Sequence, residues 1–130
     1  MKILLCYANN ATAQKALELT IEYGKIMKPH IDIVTSQYGK GHEGVDEVNR
    51  AEKELKIAEK ILIENGIACK THFLVRGIPP GQDLVKFSEE NKIDLIVLGV
   101  KVTSNIGRFF FGSTSQHILH EAKCPVLVVR

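Results

Sequence analysis

The sequence predicts a single α/β domain, residues 1–130, in which four helices wind both faces of a parallel five-stranded sheet. Three features carry that expectation. Short runs rich in Ile, Leu and Val recur along the chain, the fullest being Ile93, Leu95, Ile96, Val97 and Leu98, interrupted only by Asp94. Such near-continuous apolar runs suit strands buried on both faces of a parallel sheet. Segments of helical period separate the runs, so strands are joined by crossovers. Finally, Gly99 stops the fullest run, and after a loop the chain restarts at Gly112-Ser113-Thr114 as a helix start, the grammar of a ligand loop.

At 130 residues the chain has enough material for one core without staples. With 45% hydrophobic and 25% charged residues it reads as an ordinary globular protein, and no apolar run approaches the length of a membrane span. The start, MKILLCYANN, has one lysine, a short apolar run and no small-residue cleavage site. It reads as a first strand rather than a signal peptide, and a cytoplasmic protein is expected. A net charge of +2, with basic and acidic residues interspersed, gives no footprint for nucleic acid. Cys6, Cys69 and Cys124 lie far apart without C-x-x-C spacing and read as reduced, packed thiols.

Taken in order, residues 2–8 form a central buried strand, and Asn9, Asn10 and Thr12 offer turn and N-cap chemistry. Ala13, Ala16, Leu17, Thr20, Ile21 and Gly24 repeat at helical spacing, with Gln14, Lys15, Glu18 and Glu22 turned to water, until Pro29 closes the unit. Ile31, Ile33 and Val34 make the second strand, ending at Thr35 and Ser36. The glycine-rich residues 37–46 read either as a lid or as a surface connection without a role. Val48, Ala51, Leu55, Ala58 and Leu62 mark the second helix, stopped by Asn65-Gly66. Residues 67–75 alternate with period two and suit an edge strand with one wetter face. The run Arg76-Gly77-Ile78-Pro79-Pro80 breaks that strand and starts a helix with Leu84, Val85, Phe87 and Ser88 inward. After the fourth strand and its loop, a helix over residues 113–123 turns Ile118, Leu119 and Ala122 inward, and Val126–Val129 is the last strand.

The loop after the fourth strand brings Lys101, Gly107 and Arg108 together with a helix N-terminus, so cations, backbone donors and a partial positive dipole could converge on an anion such as phosphate. Ser113 and Gln116 have capping-box spacing. Phe109, Phe110 and Phe111 read as packing. His117 and His120 form H-x-x-H without a further ligand at motif spacing, so no metal site is expected, and His42 and His72 read as surface residues. A phospho-acceptor receiver would need acidic residues where Ala8, Asn9 and Asn10 stand. Neither a P-loop nor a dinucleotide fingerprint is present, and no nucleophile–base set can be assembled, so no enzyme activity is expected.

Gly99, Gly112 and Ser113 fall on the pattern Gly-x2-Gly-x9-Gly-Ser/Thr, with Val102 in the place of the second glycine. The tail Cys124-Pro125-Val126-Leu127-Val128-Val129 and the turn Gly77-Ile78-Pro79 complete a pattern that resembles the universal stress protein family. The resemblance implies strand order 3-2-1-4-5, a Rossmann-like sheet of the adenine nucleotide alpha hydrolase kind, which periodicity alone does not give. It implies a stress-response or regulatory protein holding ATP or another adenine nucleotide in the crevice between strands one and four. Gly99, Val102, Gly112, Ser113 and Thr114 would form the phosphate loop, Asn9 would approach the ribose, and Ser36 would lie beside adenine. ATP-binding relatives carry an aspartate where Ala8 stands here, so magnesium is expected only together with nucleotide. A homodimer pairing through Val126–Val129 is also implied. The alternative is a dimeric interaction module of the same family that binds no nucleotide, as Ala8 and Val102 suggest.

Overall fold

A computed structural model describes residues 1–7, 11–39, 44–100, 103–105, 108–110 and 112–130, without the side chains of 11, 103–105 and 108–110. The chain runs β1 (Lys2–Cys6), α1 (Ala11–Met27), β2 (His30–Gln37), α2 (Val45–Glu64), β3 (Ala68–Val75), α3 (Pro80–Glu90), β4 (Leu95–Gly99), β5 (Thr103–Asn105), β6 (Arg108–Phe110), α4 (Ser113–Glu121) and β7 (Val126–Val129). Five strands form one sheet in the order β3-β2-β1-β4-β7, every neighbouring pair parallel. This is the 3-2-1-4-5 arrangement, with β7 as its fifth strand.

Successive residues of a strand point to opposite faces, so β1 at the centre feeds two cores. Ile3 and Leu5 meet Ala16 and Leu17 of α1 and Leu55, Ala58 and Leu62 of α2 on one face. Leu4 and Cys6 meet Leu84, Val85 and Phe87 of α3 and Ile118 of α4 on the other. The side chains Ile3, Leu4 and Leu5 are wholly shielded from water, which explains an apolar run without alternation. No helix among the described residues is long and apolar enough to cross a membrane.

Several local expectations need correction. The segment after β4, read as an open loop, contains an antiparallel hairpin pairing Thr103 with Phe110 and Asn105 with Arg108. The capping box does not form: Gly112 is the N-cap, with extended backbone (φ −62°, ψ 164°) and no side-chain cap bond, and Ser113 is already the first helical residue. Thr12 lies inside α1, and α2 begins three residues before Val48. Leu119 is exposed, leaving Ile118 as the deeply buried anchor of α4. His72 is no mere surface residue. Its Nε2 lies 2.8 Å from Asp32 Oδ1, and its ring meets Phe87 edge-on at 4.8 Å. The cause is Asp32, buried in β2 with nine-tenths and more of its surface covered, a carboxylate that needs a partner on the α3 side of the sheet. His42 lies outside the described residues.

Candidate nucleotide crevice

In a parallel sheet the crossovers leave the central strands toward opposite faces, and a crevice opens at the carboxyl ends where they part. Here β1 stands between β2 and β4, and a cavity of about 320 Å³ lies at the ends of all three. Its walls are Cys6 and Tyr7 after β1, Val34, Thr35 and Ser36 of β2, and Leu98 and Gly99 of β4. Ala13 of α1, Pro80 and Leu84 of α3, and Thr114 and Ser115 of α4 close it.

The first strand is pinned at its exit. Tyr7 N donates to Val34 O at 2.9 Å, and Thr35 Oγ1 donates to Tyr7 O at 2.8 Å. The Tyr7 hydroxyl accepts from Gln14 Nε2 at 3.0 Å. Burial raises its pKa, Gln14 offsets this in part, and Glu54 adds to the rise. Cys6 is more extreme: burial, with a smaller push from Cys124, raises its thiol to about 12. A thiol held protonated is a poor nucleophile, so Cys6 serves the wall as an apolar surface.

The glycines of the expected phosphate loop occupy contrasting surroundings. A Cβ on Gly99 would stand 2.7 Å from the backbone oxygen of Thr12, so the first turn of α1 lies directly on the end of β4. A Cβ on Gly112 would meet nothing within 4 Å, and its φ is ordinary. The fold does not require glycine there, and the open space beside it is room a ligand could use. At α4 the first turn carries no acidic residue to offset its dipole, and the N–H groups of a first helical turn have no partner within the helix. Close packing of α3 sets the position of this helix, since a Cβ on Gly81 would stand 2.8 Å from His117 Cβ.

On β2 the polar lining residues are Thr35 and Ser36, and Ser36 is tied to α3. Its Oγ donates to Asp83 Oδ2 at 2.8 Å. Asp83 is wholly buried, and its Oδ1 accepts from Arg76 Nε. Arg76 also donates to the Asp83 carbonyl at 3.3 Å and to Glu90 Oε1 at 2.8 Å. Burial works against the charge on Arg76, but its bonds to Glu90 and Asp83 outweigh it and raise its pKa.

Of the residues singled out in the sequence, Ser36, Gly99 and Thr114 line the cavity. Ser113 lines a neighbouring hollow of about 220 Å³ with Pro79, Gln82 and His117, and Thr114 borders both spaces. Gly112 caps the helix beside them. Asn9 and Val102 lie outside the described residues, as do Ala8, Lys101 and Gly107, and the side chain of Arg108. Sequence reasoning missed Ser115, Asp83 and Arg76. A Ser two places into the helix start was a visible signal for the first, whereas the pairing of Asp83 with Ser36 spans 47 residues and leaves no local trace. Among the described residues no group of three His, Cys, Asp or Glu is placed to hold a metal.

A sequence profile of the universal stress protein family matches residues 1–130. Universal stress protein MJ0531 of Methanocaldococcus jannaschii is 35% identical over 79 residues, covering 61% of this chain and 45% of that protein. Universal stress protein Slr1230 of Synechocystis is 29% identical over 129 residues, covering 99% of this chain and 42% of that protein. The chain thus spans less than half the length of these two relatives. Among solved structures, the universal stress protein from Archaeoglobus fulgidus in complex with dAMP superposes with a TM-score of 0.85 at 25% identity, over 100% of this chain and 98% of that one.

Proposed function

This chain belongs to the universal stress protein family, and we propose that it is a regulatory binding protein that takes ATP or another adenine nucleotide into the crevice between β1 and β4. The observation that carries this reading is the composition of the cavity. The α4 N-terminus, with Thr114 and Ser115, offers donors to an anion on one side. Val34, Leu84 and Pro80 offer apolar surface for a flat base in the same cavity. The dAMP carried by the A. fulgidus protein supports the choice of ligand class. Gly112 leaves backbone approach open, Gly99 and Thr114 line the cavity with Ser113 in the adjoining hollow, and Asn9 would approach the ribose as the family resemblance implies.

A magnesium ion would enter with the nucleotide, carried on its phosphates, because the described cavity wall presents hydroxyls and backbone groups rather than carboxylates. The output is occupancy-dependent signalling in the cytoplasm rather than turnover, through a homodimer formed at β7. Mass spectrometry of protein purified without added ligand and then denatured, followed by calorimetric titration with AMP, ATP and ATP with magnesium, tests the reading. A co-purifying adenine nucleotide or saturable micromolar binding is expected. Neither nucleotide nor heat would leave the dimeric interaction module as the function.

A further inference from the structure

We infer that the adjoining ends of α1 and α2, at the far end of the sheet from the crevice, form an anchor that lays the protein on a bilayer of anionic lipid. Every strand of the main sheet is parallel, so each crossover helix runs back and finishes beside the amino ends of the strands. Thus α1 closes at Met27 and α2 at Glu64 on the same edge, away from the cavity at the carboxyl ends. The two ends touch. A Cβ on Gly24 of α1 would stand 2.7 Å from Ile67 Cδ1, just past α2. A hollow of about 310 Å³ lies there, with Lys25, Lys28, Asn65 and Gly66 in its lining.

Tyr23, Ile26 and Met27 stand at i, i+3 and i+4 on the last turns of α1, and all are exposed, as is Ile63 near the end of α2. Single exposed apolar residues need no explanation, but these four are gathered at two touching helix ends. Lys25 and Lys28 are exposed too, and neither takes part in a salt bridge among the described residues. Of the acids beside them, Glu64 faces Lys60 at 3.9 Å, and Glu22 adjoins Tyr23. Ammonium groups beside apolar tips complement an anionic bilayer: the tips enter the acyl boundary while the lysines stay at headgroup level. A peptide groove would cover the flanks of Ile26, whereas that side chain is 80% exposed and projects as an inserting residue does. The protein lies on the bilayer, since no described helix is long and apolar enough to cross it. The crevice, at the opposite end of the sheet, stays open to solvent in the docked protein.

Flotation of the whole chain with two kinds of vesicle tests the inference: pure phosphatidylcholine, and an equal mixture of phosphatidylcholine and phosphatidylglycerol. The mixed vesicles are expected to carry about tenfold more protein, and added salt to release it as the charges are screened. Ile26→Ser should lower binding to the mixed vesicles about tenfold, and Lys25→Gln combined with Lys28→Gln by a similar factor. All three positions are exposed, so the variants keep the fold. Equal binding to the two vesicles, binding to neither, or Ile26→Ser floating like the wild type overturns the anchor. If neither vesicle is bound and Ile26→Ser alters sedimentation, the face belongs to a second copy of this chain instead; unaltered sedimentation makes it plain solvated surface.

Discussion

Cys6 faces the cavity with a thiol that burial keeps protonated to about pH 12, whereas in the unfolded chain it ionises near 9.0. Between those values the unfolded state binds fewer protons than the folded state, so stability falls as pH rises; below 9.0 the group contributes no slope. Cys6→Ala should start lower by about 1 kcal/mol at neutral pH for the lost buried atom. Its stability should then decline less steeply with alkali, by one proton. Urea unfolding across the alkaline range measures both, and a slope equal to that of the wild type would show that burial is not what protects this thiol. Individual residues were legible where one local cause decides them, as with the apolar positions of β1. Ser113 was not, because its S-x-x-Q spacing competes with Gly112, whose extended backbone takes the cap position first.

At the level of elements, the contact that fixes the crevice is the first turn of α1 against the end of β4. Gly99 permits it. Its replacement by alanine would set a Cβ 2.7 Å and 2.8 Å from the Thr12 carbonyl atoms, which have no rotamer to change. Gly99→Ala is therefore expected to lose about 1–3 kcal/mol to overpacking, read as a lower urea midpoint. Gly112→Ser, with open space for its side chain, should stay within about 0.5 kcal/mol of the wild type. A reversal of that ranking would mean that the helix does not rest on β4. The helices and long strands were legible because each carries its period over many residues. The hairpin was not, since Thr103–Asn105 is three polar residues, too short for alternation to show. Nor was the Asp32–His72 contact, which depends on strands 40 residues apart coming into register.

For the molecule as a whole, strand order was legible only through family resemblance, since periodicity says nothing about which strands are neighbours. That order leaves β3 and β7 at the edges. β3 carries the exposed Lys70, while β7 is four apolar residues with Val128 exposed. An open apolar edge invites pairing with a second chain. Analytical ultracentrifugation at high micromolar concentration should find a dimer, and Val128→Lys should shift it to monomer; a monomeric wild type removes β7 as a pairing surface. The crevice, by contrast, borrows from nearly the whole chain: β1 and α4 both line it, with β2, α3 and β4 between them in sequence. A molecule seated there acts as a reversible cross-link between the first strand and the last helix. Its concentration then sets how tightly the chain resists opening, rising as the logarithm of ligand over its dissociation constant. If the proposed nucleotide is that molecule, a change in its level would be felt directly as a change in the durability of the protein.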